Sequence, residues 1–251
     1  MSGHSKWAQI KRQKGATDAK RGQAFTKLAN AITVAVRESG GISDPAQNFK
    51  LRLLVEKARA VNMPKENIER AIQRASGKQA GEGVAEITYE GFGPGKVALM
   101  VDAVTDNKQR TTSEVKNILD KNGAVLATPG AVSYQFVQKG LITVKKNGQN
   151  ADDIFLLAAD AGAEDIEEVG DEILVYTKPD QLSKVKEGLT KSLNIVDAEL
   201  TRKPMVTVSI TNKEIASKIL TLMERLESLD DVQKVYANFD ITDEIISSQT
   251  E

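Results

Sequence analysis

Seven cations crowd the first 27 residues, Lys6, Lys11, Arg12, Lys14, Lys20, Arg21 and Lys27, and a single acid, Asp18, opposes them. Lysine and arginine neutralise phosphates and release condensed counterions, a chemistry that needs clustered positive charge and no particular base sequence. Trp7 lies among them beside Ile10. Its indole can stack on a base or wedge into a groove, or it can pack on the helices behind it. The imbalance extends further along the chain. Residues 1–78 contain 16 Lys+Arg and 6 Asp+Glu, a net +10, and the other 173 contain 18 and 29, a net −11, so the overall −1 conceals two regions of opposite sign. Such a division suits a basic face for nucleic acid and an acidic remainder that limits nonspecific adhesion. The plainer account is a basic surface whose charge faces the acidic body.

Other chemistry is scarce. His4 is the only histidine and there is no cysteine. A histidine metal cage, a His-dependent nucleophile triad, a thiolate zinc site and a disulfide are therefore all excluded, and no metal or cofactor is expected. The run Gly91-Phe92-Gly93-Pro94-Gly95-Lys96 resembles a phosphate loop. It has one residue too few before Gly-Lys, Val97 stands where a magnesium-binding hydroxyl is required, and a strand follows in place of a helix, so a glycine-rich hairpin turn is the expectation. Residues 152–172 hold nine carboxylates without one Lys or Arg, in a spacing that matches no calcium loop. They form either a solvated acidic face or a docking surface for a basic protein. Aromatic residues make up only 4% of the chain, too few for an aromatic base-stacking sheet. No segment reaches the roughly 18 apolar residues of a membrane span, and residues 1–13 lack the apolar core of a signal peptide. A cytoplasmic protein with no membrane partner and no small-molecule substrate is expected.

The elements that must position these groups are legible from periodicity. Phe25, Leu28, Ile32 and Val36 line one helix face that ends at Gly40-Gly41. Asp44-Pro45 reads as a cap and first-turn proline for a second helix presenting Leu51, Leu54, Val55, Ala58 and Val61. Pro64 opens a third helix, with Ile68, Ala71, Ile72 and Ala75 on one face, which stops at Ser76-Gly77. A small polar linker, residues 79–84, follows. Beyond it strands are expected at 87–92, 97–104 and 132–137, with a helix between the last two whose capping box is Thr111 and Glu114. Residues 141–200 read as strand, helix 154–161, two strands around Gly170, helix 182–193 and strand, a βαββαβ order. Strand 206–210, a helix carrying Ile215, Ile219, Leu222, Leu226 and Leu229, and strand 232–239 complete a second such set with one extra strand. The expected fold class is α+β: a basic helical domain at 1–78, an α/β domain at 79–138 plus 204–241, and an acidic α/β domain at 139–203 set into it, with a tail at 242–251. Both α/β domains are expected to be ferredoxin-like.

Several separate motifs then occur in order: Gly3-His4-Ser5-Lys6-Trp7, Arg21-Gly22 with Phe25, Asp44-Pro45 with Asn48, Met63-Pro64-Lys65, and Asn67-Ile68-Glu69-Arg70-Ala71-Ile72. Tyr89-Glu90-Gly91-Phe92-Gly93-Pro94-Gly95 and Thr105-Asp106-Asn107 with Arg110-Thr111 continue the series. Together they resemble the YebC family from residue 3 to about 239. The resemblance implies three domains, the third set into the second, and a non-enzymatic regulator of gene expression. Bacterial relatives are called probable transcriptional regulators that bind DNA. The mitochondrial branch is described as a translational activator, and some members are linked to relief of ribosome stalling. Arg110 joins the basic N-terminal residues as an expected nucleic-acid contact. The chain departs from the family at Lys108-Gln109, where Arg-Asn is more frequent, which removes one arginine beside Arg110, and at Gly130-Ala131-Val132, where Gly-Ser-Val is often found. DNA is the first expected partner. Ribosomal RNA is the alternative, with the acidic domain meeting basic ribosomal protein.

Overall fold

The computed structural model describes residues 18–76 and 84–241. Its first part is a bundle of three helices, α1 (Asp18–Glu38), α2 (Phe49–Ala60) and α3 (Lys65–Ser76). Ile32, Ala35, Val36, Leu51, Val55, Ala58, Met63, Ile68, Ala71 and Ala75 are buried together at its centre, the apolar stripes that the 3.6-residue period implies. Gly40 and Gly41 end α1 at positive φ, and the Gly41 amide donates to the Val36 carbonyl at 2.8 Å.

The start of α2 differs from the expected Asp44-Pro45 cap. Those residues form a turn, and Asn48 is the N-cap. Its Oδ1 accepts from the Leu51 amide at 3.0 Å, while Nδ2 donates to the Ala35 and Ile42 carbonyls at 3.0 Å and to Ser39 Oγ at 2.9 Å. One buried amide thus joins the end of α1, the following loop and the start of α2. Asn48→Ala removes the cap and strands the buried Ala35 carbonyl and the partly buried Ile42 carbonyl, and an expected loss of about 2 kcal/mol is measurable by denaturant unfolding.

The rest of the described chain builds two four-stranded sheets. The first contains β1 (Ala85–Phe92), β2 (Ala98–Thr105), β3 (Val125–Ala127) and β9 (Val232–Ala237), in the order β3-β1-β2-β9. Helices α4 (Lys108–Lys121) and α7 (Lys213–Glu227) cover one face, burying Leu99, Val101, Val115, Leu119, Ile219, Leu222, Leu226 and Val235. The second contains β4 (Phe136–Lys145), β5 (Asp165–Val169), β6 (Glu172–Thr177) and β7 (Asn194–Pro204), in the order β5-β6-β4-β7. Its core joins Ile142, Val144, Ile173 and Val175 to Ile154 and Ala158 of α5 (Ala151–Ala161) and Val185 and Leu189 of α6 (Leu182–Leu189). β8 (Val208–Ile210) and β10 (Phe239–Ile241) form a separate parallel pair.

Several boundaries move from their expected places. The strands expected at 132–137 and 141–144 are one continuous β4 beginning at Phe136, preceded by a 3-10 turn at Ser133–Gln135. β7 runs on to Pro204, so β4 and β7 pair from Phe136↔Pro204 to Lys145↔Asn194 and together carry the chain between the two sheets. The strand expected at 232–239 breaks at Asn238, whose buried side chain accepts from the Ala98 amide at 2.7 Å and donates to Gln135 Oε1 at 2.9 Å. β8 consequently pairs with β10 rather than entering the first sheet. The helix α4 begins one turn earlier than the Thr111–Glu114 box implies. Asn107 caps it by accepting from the Arg110 amide, and Thr111 is buried inside its first turn. α6 is shorter than expected, ending at Leu189. The Gly93–Lys96 segment is the hairpin turn between β1 and β2, with Gly95 at φ +71° and the place of a Cβ there filled by Ile210 and Ile215. No helix among the described residues is long and apolar enough to cross a membrane.

Candidate nucleic-acid interface

Of the expected contacts, Lys6, Trp7, Lys11, Arg12 and Lys14 lie outside the described residues. Lys20 and Arg21 belong to the first turn of α1, and Arg21 is exposed. Lys27 is placed differently. Its Nζ donates to the Glu227 carbonyl at 2.5 Å, and Gln23 Nε2 reaches the Ser228 carbonyl at 2.5 Å and Asp230 Oδ1 at 3.1 Å. An ammonium at the carbonyl end of α7 meets both unpaired carbonyls and the negative pole of the helix. α1 is thereby tied to the end of α7 and the turn before β9, and Val34 packs with Val84 and Val104 alongside.

Arg110 also has internal partners. Its Nη2 lies 2.8 Å from Asp106 Oδ1 and 2.8 Å from Asp231 Oδ2. Thr111 and Thr105 donate to the same Asp231 oxygen at 2.6 and 3.0 Å. Burial alone would raise the Asp231 carboxyl, but Arg110 and the two threonines hold it below the ordinary aspartate range. This constellation pins the start of α4 to the turn before β9.

A second set of cations, not singled out from the sequence, sits on α2. Arg52 Nη2 donates to Ser183 Oγ at 2.6 Å, and its guanidinium lies 5.4 Å from the Phe49 ring centre. Lys57 Nζ lies 3.0 Å from Asp197 and 2.8 Å from Glu199, both on β7. Glu199 is also paired with Lys234 of β9, and Glu56 with Lys186 of α6. Lys50 bridges Glu38 at 2.7 Å and Glu86 at 3.1 Å. At the junction of bundle and sheets, burial opposes the charge of Glu199, yet Lys234 and Lys57 hold its carboxyl far below the glutamate range. Lys57 is correspondingly held protonated: burial would lower it, and Glu199 and Asp197 more than offset this. Leu53 enters the second sheet's core, with Phe49 packed against it. The signal for this second face was the i, i+4 spacing of Phe49, Leu53 and Lys57, off the main apolar stripe.

The acidic segment is partly neutralised in the same way. Lys139 pairs with Glu164 and Lys146 with Glu168, each at 2.6 Å, and Lys203 pairs with Asp165 and with Glu167. Asp152, Asp153 and Asp160 of α5 are exposed and have no cation within ion-pair distance among the described residues. Among those residues no group of three or more His, Cys, Asp or Glu is placed to hold a metal.

Two family models match the chain without overlap, the TACO1/YebC protein N-terminal domain over residues 5–78 and the TACO1/YebC second and third domain over residues 84–239. The chain belongs to the TACO1/YebC family. Relatives in this family named "Probable transcriptional regulatory protein" include one from Chloroflexus aggregans, 50% identical over 250 residues and 98% of each chain. Another, from a Sulfurihydrogenibium species, is 48% identical over 250 residues with the same coverage. The crystal structure of a conserved hypothetical protein, Aq1575 from Aquifex aeolicus, superposes with a TM-score of 0.85 at 45% identity, covering 91% of this chain and 94% of that one. The TACO1/YebC relatives thus carry a regulatory description and no catalytic one, and the helical region followed by β-sheet domains is shared with a solved structure.

Proposed function

We propose that this protein is a non-enzymatic, DNA-binding regulator of gene expression that holds phosphates through its basic N-terminal region. Lys6, Lys11, Arg12, Lys14, Lys20 and Arg21 are the proposed contacts, with Trp7 beside them. Lys27 and Arg110 have internal partners and serve the packing of α1 and α4 instead. The observation that carries the reading is the separation of charge. Lys139, Lys146, Lys203, Lys234 and Arg202, on or beside the sheet strands, are each matched with a carboxylate and Lys145 at the end of β4 is not, while residues 1–27 hold seven cations against one acid. The regulatory names of the relatives support it. Residues 1–78 act as the gripping unit and the two sheets, which we read as ferredoxin-like, as its acidic body. No cofactor or small-molecule substrate enters this reading.

Binding of the full chain to a DNA duplex tests it. With about six phosphate contacts, the log of the association constant should fall against log salt with a slope near −5. Absence of duplex binding at about 50–100 mM salt rejects it. The exposed acids of α5 favour a second reading, a ribosome-associated translation factor whose cations hold ribosomal RNA and whose acidic body faces basic protein. Co-sedimentation with ribosomes in a low-salt gradient, with weak duplex binding, would select it. A protein that stays at the top of that gradient excludes it.

A further inference from the structure

Two sets stand out among the described cations of the helical bundle. Lys27, Arg37, Lys50, Arg52 and Lys57 are directed onto the sheets or their helices, through the Glu227 carbonyl, the Val84 carbonyl, Glu86, Ser183, and Asp197 with Glu199. Arg59, Arg70 and Arg74 are exposed, and no carboxylate of the described residues lies within ion-pair distance of them. Arg70 and Arg74 stand four residues apart on α3, so their side chains leave one helix face about 6 Å apart along the axis. That arrangement can serve successive phosphates of one strand. The guanidinium fork matches phosphate oxygens better than an ammonium does.

The acids of the same helix do not cancel this pair. Glu69 lies 3.4 Å from Lys65, and Glu66 occupies the first turn, where the helix dipole favours a carboxylate. The opposite side of α3 is fixed by Ile68, Ala71 and Ala75 in the bundle core, so the two arginines project from a packed element and little ordering is needed for contact.

We propose that Arg70 and Arg74 of α3 form a second phosphate-contacting site, additional to the cations of residues 1–27, whose ligand is the phosphodiester backbone of a nucleic acid. The bundle cations committed to the sheets take no part in it. The site rests on the nucleic-acid reading above and extends it from the arm to a packed helix.

Full-length wild type, R70Q/R74Q and K50Q, each titrated with a mixed-sequence DNA duplex and with an RNA hairpin across about 50–200 mM salt, test the proposal. R70Q/R74Q should make the log-log slope shallower by about two, with R74Q alone giving about one, and K50Q should leave it as in wild type. Because the two arginines are exposed, circular dichroism and melting of R70Q/R74Q should match wild type. A steep wild-type slope that R70Q/R74Q retains with both probes overturns the site and leaves the functional reading standing, as does a K50Q slope reduced as far as that of the double variant. Failure of the wild type to bind either probe overturns both. A slope change with the duplex alone makes the ligand DNA, and with the hairpin alone makes it RNA, either of which supports the site.

Discussion

Glu90→Ala should lower the thermal midpoint by on the order of 10 °C, the largest effect expected of any single substitution described here. The Glu90 side chain is 8% exposed, and its carboxylate accepts from the amides of Gly130, Val132 and Ser133 at 2.8, 2.7 and 2.9 Å. Removing it strands three backbone donors and unpins the loop that covers Ala98, Met100 and Tyr236 with Val132. Charge-assisted hydrogen bonds contribute roughly 1.5–3 kcal/mol each and are not additive, so about 3–5 kcal/mol in total is expected. Glu90→Gln keeps the shape and one acceptor and should cost about half as much. Burial alone would raise the Glu90 carboxyl, but the amides of Gly130, Val132 and Ser133 bring it below the ordinary glutamate range. Stabilisation of this sign is complete above the unfolded-state value of about 4.3 and is lost as pH falls through the lower folded value. Melting curves collected from pH 7 downward should therefore draw together for wild type and Glu90→Gln as pH falls through the lowered folded value. An alanine variant melting within a degree or two of wild type would show that the loop is held by something else.

Glu199→Ala should cost about 2–4 kcal/mol and loosen the bundle from the sheets. A fully buried ion pair broken on one side costs roughly 3–5 kcal/mol, and the lower figure reflects the 26% of the Glu199 side chain that stays exposed. The variant leaves Lys234 without its partner and Lys57 with Asp197 alone. The effect should be local as well as global. Amide exchange in α2 should speed up more than in α4, because Lys57 connects α2 to β7. Equal acceleration in both helices, with an unchanged gap between bundle and sheet protection, would count against an interface role for Glu199. Lys57→Met is the informative partner variant, since replacing a half-buried cation by an apolar chain of similar reach separates the value of the pair from that of packing.

Periodicity exposed the helical bundle well, because each helix buries a single stripe and ends at glycine or proline. The third face of that bundle was harder to see. Leu53 and Lys57 fall outside the α2 stripe and acquire meaning only when the second sheet lies against them, with the β7 partners of Lys57 140 and 142 residues later in sequence. Strand boundaries failed for a related reason. β3 is three residues long and is placed by Gly91, where a Cβ would lie 2.7 Å from the Val125 carbonyl. A close approach of that kind leaves no periodic signature. Asn238 interrupts an apolar run by turning its own amide into a strand partner, again a tertiary effect. At the candidate interface, composition marked out the basic region but could not sort its cations. Lys27 and Arg110 read as available charge until the carbonyls of α7 and the carboxylate of Asp231 are placed beside them. Of the two arginines without such neighbours, Arg70 was legible only as part of a family motif, and Arg74 was not singled out at all.

The long β4–β7 ladder has a consequence for the order in which the protein is made. The second sheet and both its helices lie wholly between Phe136 and Pro204, so that unit can close as soon as its own residues have emerged. The first sheet cannot. Leu99 and Val101 of β2 await α7 and β9, which begin only at Lys213 and Val232. At roughly 5–20 residues per second, a ribosome leaves the apolar face of the early hairpin covered by α4 alone for on the order of ten seconds while the intervening sheet is synthesised. A nascent chain held with residues only up to about 212 emerged should accordingly be a chaperone client, and one held with residue 241 fully emerged should not.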